Sequence, residues 1–345
     1  MKLADAQALW EPAGVYCNTA SYGLPPRPAW DALQSALADW RGGATSWEGW
    51  GESTEAARAE FALLAGVDVT SVAVGSTVSE LVGGLVTALP EGARVVVPEI
   101  EFTSALFPFL VQGRLDVRTV PVTRFADAVA DGADAAVFSA VQMSTGEVAN
   151  VDAILAAAAE VGAITICDAT QAFGWLPLAA ARFDALVCGA YKWLMSPRGT
   201  AFLFISDPLL ERTVPHSAGW YSGEDVHASY FGPPLRLASS ARRHDVSPAW
   251  FSWVGTLPAL EVIREIGVGQ IHDHNVALAN RFRAGLGMEP SNSAIVCSET
   301  PDAVARLERA GIIAAMRGGR LRTSWHVYNT ERDVDAVLEA LLFRS

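Results

Sequence analysis

The chain has 345 residues and a mass of 36.6 kDa, enough for one large core with a smaller companion lobe. Its 38 acidic and 25 basic residues leave a net charge of -13, spread without runs of like charge, which argues against general affinity for nucleic acid or an anionic membrane. The apolar stretches at 72–86 and 153–163 are too short to cross a bilayer and no basic-then-apolar leader opens the chain, so a cytoplasmic protein is expected.

The first dozen residues predict a short helix ending near Pro12, and 16–26 is too rich in turn formers to be regular. Helices are expected from about Pro28 to Trp40 and from Thr54 to Leu64, where Ala57, Phe61 and Leu64 share a face. Short β-branched strands then alternate with helix-length spacers: Val69–Val74, Arg94–Pro98, Val117–Val120, Ala135–Ser139, Ile164–Cys167, Ala185–Cys188 and Thr200–Ile205. Nearly continuous apolar strands in such an alternation read as α/β, a mostly parallel seven-stranded sheet covered by helices. The gap before Thr200 is too short for a crossover helix, so the last two strands are expected to be antiparallel.

Residues 216–234 are aromatic and glycine-rich without period, which suits a loop contributing to a pocket. A long helix is predicted from Trp250 to Ile266, then a helix at Asp273–Leu286, a strand at Ala294–Cys297, a helix at Pro301–Ala310, a strand at Arg320–His326 and a helix at Glu331–Leu342 capped by Thr330 and Asp333. This is a smaller α+β lobe, and the expected division is 15–245 for the large domain with 1–14 and 246–345 in the small one. The four cysteines form no CxxC pair, so neither a metal site nor a disulfide framework is expected.

Polar residues sit just past the ends of several candidate strands, where parallel sheets bind ligands. Gly75-Ser76-Thr77-Val78-Ser79-Glu80 opens a helix with capping-box spacing, and a helix amino terminus favours phosphate. Asp168-Ala169-Thr170-Gln171 follows one strand and Tyr191-Lys192-Trp193 another; a lysine between aromatics near a sheet is poorly placed for solubility and well placed for Schiff-base chemistry. Each motif alone also suits a structural role, as a capped helix, a turn aspartate or a snorkelling lysine. Their order along the chain carries the functional reading.

In that order the chain resembles the class V aminotransferases of pyridoxal phosphate (PLP) fold type I, a group that includes cysteine desulfurases, kynureninases, isopenicillin N epimerase-like proteins and C-S lyases. The resemblance runs from Asn18-Thr19-Ala20-Ser21-Tyr22-Gly23 to Arg322-Thr323-Ser324-Trp325-His326. It implies that Lys192 carries PLP as an internal aldimine, that Asp168 pairs with the pyridine nitrogen, and that Gln171 contacts the ring oxygen. It further implies that Ser76 and Thr77 hold the phosphate with Tyr191, that Phe102 stacks on the ring, and that Gln142 approaches the ring oxygen and the substrate amine. Arg322 matches the arginine that binds a substrate carboxylate, with Arg317 and Arg320 nearby, and Asn18 and Tyr22 belong to a substrate-facing loop.

The chain also departs from the group's pattern. Gly189 stands where a phosphate-binding serine is common. The stretch from Arg243 to Trp250 replaces a segment that reaches the partner's phosphate; Ser247 keeps a hydroxyl, Pro248 offers no donor, and Trp250 is a candidate to line the pocket instead. A homodimer with active sites at the interface is still implied. No cysteine lies in 311–320 and Cys297 ends an apolar strand, which disfavours sulfur transfer through a persulfide. The implied activity is at Cα of an amino acid: an aminotransferase first, a C-S or other β-lyase or an epimerase as alternatives, and a non-enzymatic binding protein last. Tyr22, His216, Tyr221, His227 and Tyr230 are candidate acid, base or gating groups.

Overall fold

The computed structural model describes residues 1–342. Seven strands form the large sheet: β1 (Val72–Gly75), β2 (Arg94–Pro98), β3 (Asp116–Val120), β4 (Ala135–Ser139), β5 (Ile164–Asp168), β6 (Ala185–Gly189) and β7 (Ala201–Ile205). They lie in the order β1-β7-β6-β5-β4-β2-β3. β7 is antiparallel to both of its neighbours and every other pair is parallel, so six strands run one way. β4, β5, β6 and β7 are buried along their whole length because helices cover both faces. β3 is one of the two edge strands, and the exposed Asp116, Arg118 and Thr119 make it a poor template for further pairing.

The expected mostly parallel seven-stranded sheet is thus present, with the antiparallel β6–β7 pair foreseen from the short gap. Three local expectations needed correction. Val69–Ser71 is a 3-10 turn rather than strand, because the Asp68 side chain accepts the Thr70 amide at 2.8 Å and holds the turn. The helix expected at Thr54 begins at Trp47; its glycine-rich first turns pack Trp47 against Trp220 and Trp250, and Trp50 against Phe251. Those partners lie more than 150 residues away, so no local pattern announces them. A third strand in the small lobe, Ala315–Arg317, is joined to the next by Gly318 and Gly319 at φ 54 and 78, where a side chain would be strained.

The small lobe holds a three-stranded antiparallel sheet of β8 (Ile295–Ser298), β9 (Ala315–Arg317) and β10 (Arg320–Ser324) in the order β8-β10-β9. Helices Val268–Gly285 and Glu331–Leu342 cover it around Phe282, Leu321, Trp325 and Val337. The last helix is capped by the Thr330–Asp333 box: the Thr330 amide donates to Asp333 Oδ2 at 2.8 Å and the Asp333 amide to Thr330 Oγ1. Packing follows a different line from the division drawn on sequence. Helix Trp250–Ile266 lies on helices Arg27–Gly42 and Trp47–Ala65 of the large lobe, whereas Tyr16 and Asn18 bridge to Ile313 and Ser324 of the small one. No helix among the described residues is long and apolar enough to cross a membrane.

One buried ion pair fastens the start of β1, and hence the turn that follows it. The Arg58 guanidinium donates to Asp245 at 3.1 and 2.6 Å and to the Val72 carbonyl at 2.8 Å, while Asp245 Oδ1 accepts the Val74 amide at 2.8 Å. Both side chains are essentially inaccessible. Removing one partner strands the other charge in a low dielectric, so Arg58→Met should lower the unfolding free energy by about 3 to 5 kcal/mol. Arg281→Ala, which breaks a half-exposed pair with Asp335, should change it by less than about 1 kcal/mol. Urea unfolding of the two variants beside wild type checks the contrast, and equal effects would contradict it.

Candidate active site

Because six strands share a direction, the residues following β1, β2, β4, β5 and β6 emerge on one edge of the sheet, and the residues before the reversed β7 join them. A cavity of about 280 Å³ opens there, lined by Ser76, Thr77, Phe102, Asp168, Gln171, Tyr191 and Lys192 among others. Seven of the site residues expected from sequence thus meet in one space although 116 positions separate Ser76 from Lys192. Its volume lies near the lower end of the small-molecule range of about 300 to 1,000 Å³.

Lys192 lies three residues beyond β6 and is 5% exposed. Its Nζ stands 5.4 Å from the Phe102 ring centroid and 5.5 Å from that of Tyr191. Burial pulls the amine down to about 8, against the attraction of Asp168 and with further lowering from Arg322. Asp168 ends β5 and is itself buried, its Oδ1 accepting the Thr170 amide at 2.8 Å. Burial raises its carboxyl, opposed by the Thr170 hydrogen bonds and by Lys192. Gln171 has a fixed amide: its Oε1 accepts the Trp193 indole N–H at 2.9 Å and its Nε2 donates to the Ala20 carbonyl at 2.9 Å, which leaves one amide hydrogen free.

Past β1 the expected helix cap is present. Thr77 Oγ1 accepts the Glu80 amide, and Glu80 Oε2 accepts the Ser76 amide at 2.8 Å. The first-turn amides of Val78 and Ser79 have no helix carbonyl behind them, and both residues line the cavity with Ser76 and Thr77. Gly189 is constrained by neighbours, since a Cβ there would lie 3.3 Å from Tyr191 and 3.4 Å from Thr170. Gly23 is stricter still: its amide donates to the Tyr191 carbonyl, and a Cβ would stand 2.0 Å from the Lys192 carbonyl oxygen. The loop from Asn18 to Gly23 therefore packs directly on the lysine's backbone.

Other expected residues lie elsewhere. Gln142 does not line this cavity; the buried Glu101 carboxylate takes its Nε2 at 3.0 Å and turns it toward a separate cavity. The same Glu101 accepts the Phe102 amide at 2.8 Å and the Ser139 amide at 2.7 Å. Ser247 is exposed and Trp250 stacks on Trp47, so neither reaches the cavity of its own chain. Loop 216–234 does not line it either: Tyr221 donates to Glu55 and Ser222 to the Asp245 carbonyl, which ties the loop to the Arg58 cluster. His227 and Tyr230 bond to each other near the surface.

Arg322 is adjacent rather than lining. It is 1% exposed, donates to the Met143 carbonyl at 3.0 Å and to Ser21 Oγ at 2.6 Å, and its Nε has no partner. Burial, then the neighbouring Arg317, lower it to about 10. Among the described residues no carboxylate pairs with it. Asn18, in the loop that supplies Ser21, bridges to Ser324 and has a buried Oδ1 that also lacks a partner, and Tyr22 sets its ring 5.8 Å from Tyr191. Cys297 gives its thiol to the Ser144 carbonyl and is raised by burial, in keeping with a structural role. Sequence reasoning missed Arg198 and Ser79, which also line the cavity. It also overlooked a compositional signal: the chain has only two lysines, Lys2 and Lys192.

The chain matches the family model described as aminotransferase class-V over residues 52–307. It is 25% identical over 323 residues to YcbU, an uncharacterised aminotransferase of Bacillus subtilis, covering 86% of this chain and 85% of that protein. It is 28% identical over 291 residues to a kynureninase of Deinococcus radiodurans, covering 78% and 70%. Among solved structures, the apo cysteine desulfurase of Thermococcus onnurineus NA1 superposes with a TM-score of 0.81 at 21% identity over 94% of this chain and 93% of that one. The cystine C-S lyase C-DES, in complex with cysteine persulfide, gives 0.85 at 19% identity over 95% and 97%. At these identities the structural likeness concerns the fold.

The depressed amine makes a direct expectation. In ligand-free protein, labelling of Lys192 by a neutral acylating reagent should rise with pH along a curve with its midpoint near 8, since only the free amine reacts. Peptide mass spectrometry separates Lys192 from Lys2. A midpoint near the ordinary lysine value of about 10.4 would contradict the desolvated environment.

Proposed function

The chain belongs to the class-V aminotransferase family of PLP fold type I, and from that premise we propose that it holds PLP on Lys192 and acts at Cα of an amino acid, with transamination as its reaction. The observation that carries this reading is the buried Lys192 amine sharing one cavity with the buried Asp168 carboxylate.

The residues present fit the cofactor. Asp168 is buried with less opposing charge than it needs, which a protonated ring nitrogen would supply. The remaining Gln171 amide hydrogen suits a ring oxygen, and the Phe102 face suits a ring plane, worth about 0.5 to 1.5 kcal/mol beyond area burial. Ser76, Thr77 and the free first-turn amides suit a phosphate.

Bound PLP supplies an electron sink that stabilises negative charge developing at the substrate Cα. The chain's own part is binding, orientation and proton transfer. Once the substrate amine has taken its place on the cofactor, Lys192 Nζ, whose amine burial lowers to about 8, would take the Cα proton as the free base and deliver it to the cofactor's aldehyde carbon, the transfer that transamination requires. Asp168 holds positive charge on the ring nitrogen. Arg322, which has an unpaired Nε and no acidic partner among the described residues, takes the substrate α-carboxylate in a two-bond fork that lysine could not reproduce. Asn18 and Tyr22 line the approach. The reading includes a homodimer in the cytoplasm, with Ser247 of each chain turned to the partner's cavity; its exposure in the single chain supports this.

A half-reaction decides the chemistry. Enzyme loaded with PLP is mixed with a panel of amino acids without keto acid, and cofactor and product masses are measured. Stoichiometric pyridoxamine phosphate with one keto acid is expected; catalytic pyruvate and ammonia with PLP unchanged would replace transamination by β-elimination. In the same assay Arg322→Ala should weaken amino-acid binding by an amount corresponding to about 2 to 5 kcal/mol while PLP binding holds.

A further inference from the structure

The cavity wall carries one full positive charge that the site described above does not use. Arg198 lies six residues beyond Lys192, in Pro197-Arg198-Gly199, and lines the cavity with Ser76, Thr77, Ser79 and Tyr191. Its guanidinium stands over the Tyr191 ring, Cζ 4.9 Å from the centroid. Its backbone is pinned on both sides: the amide donates to Tyr22 Oη at 3.2 Å, and the carbonyl accepts Ser252 Oγ at 2.7 Å. Among the described residues it makes no ion pair. Arg198 is exposed, so its guanidinium, resting on Tyr191 with the backbone held at both ends, is open to an anion from outside.

Charge accounting identifies that anion. The lining residues that carry full charge are Asp168, Lys192 and Arg198. If PLP is held as proposed, Lys192 is committed to it and Asp168 faces its ring. The phosphate, close to a dianion at neutral pH, then meets the hydroxyls of Ser76, Thr77, Ser79 and Tyr191 and the amides of one helix turn, none of which carries a full positive charge. Residue 189, beside Tyr191, is glycine and offers no hydroxyl. Arg322, adjacent to the cavity rather than lining it, is the group proposed for the substrate carboxylate.

We propose that Arg198 is the cation that neutralises the cofactor phosphate, held in place by Tyr191 and working beside the Ser76–Ser79 turn. The inference rests on the PLP reading and adds to it a residue on the far side of the lysine. Tyr191 then has two duties, as a phosphate hydrogen-bond donor and as the plate on which the guanidinium rests.

The test compares PLP with pyridoxal, which lacks the phosphate, on cofactor-stripped full-length protein, following absorbance and tryptophan fluorescence. Arg198→Met should raise the PLP dissociation constant roughly 10- to 100-fold and leave that for pyridoxal within about twofold, with Arg198→Lys recovering most of the loss. It should also flatten the dependence of PLP affinity on salt. Unchanged PLP affinity in Arg198→Met, or equal loss for both aldehydes, would overturn the inference while leaving the cofactor reading intact. A defect confined to amino-acid affinity would overturn it too, by moving Arg198 to the substrate. Wild-type protein that captures neither aldehyde would instead remove the premise.

Discussion

The buried Lys192 amine and the buried Asp168 carboxylate share one cavity, with the amine 5.4 Å and 5.5 Å from the Phe102 and Tyr191 ring centroids, and neither charge is well solvated. Burial raises the carboxyl and lowers the amine, and each partially holds the other in its charged form. The sheet makes this possible. Only a set of strands sharing a direction can bring the ends of β1, β5 and β6 to one edge, and only the reversed β7 returns Arg198 and Thr200 to it. The Arg58–Asp245 pair fixes β1 from behind, and Gly23 lets an N-terminal loop lie against the lysine's own carbonyl. Much of the packing therefore serves to keep one amine dry and oriented.

The small lobe contributes a second kind of constraint. β10 presents Arg322 inward, where Ser21 and Met143 hold it and no carboxylate among the described residues pairs with it. A buried guanidinium lacking a carboxylate is unfavourable by itself, so the arrangement is understandable when an anion is brought to it. Ser21 belongs to the same loop that packs on Lys192, which couples the arginine's position to that of the amine through the three residues Ser21 to Gly23. Tyr22, next in that loop, reaches Arg198. One short segment thus touches the lysine backbone and both unpaired arginines.

Most strands were legible because buried parallel strands are nearly continuous apolar runs; β2 and β4 begin and end where the sequence puts them. The Lys192–Asp168–Ser76 convergence was legible because strand-end position is a local property that topology then makes global. What failed depended on distant partners. Helix Trp47–Ala65 starts early because Trp220, Trp250 and Phe251 cover its glycine-rich turns. Gln142 is turned away by Glu101, a carboxylate whose burial no local pattern announces. Loop 216–234 packs on the Arg58 cluster instead of the cavity. Arg198 was passed over because a Pro-Arg-Gly turn looks like any surface turn until β7 is known to run backward.

The claim on which the rest depends is that Lys192 carries PLP. Its most direct test is borohydride reduction of PLP-loaded protein followed by peptide mapping, which the presence of only two lysines makes unambiguous. The account predicts one stable pyridoxyl group per chain, on Lys192, and none on the Lys192→Ala variant. A label on Lys2, or none on wild type, would contradict it.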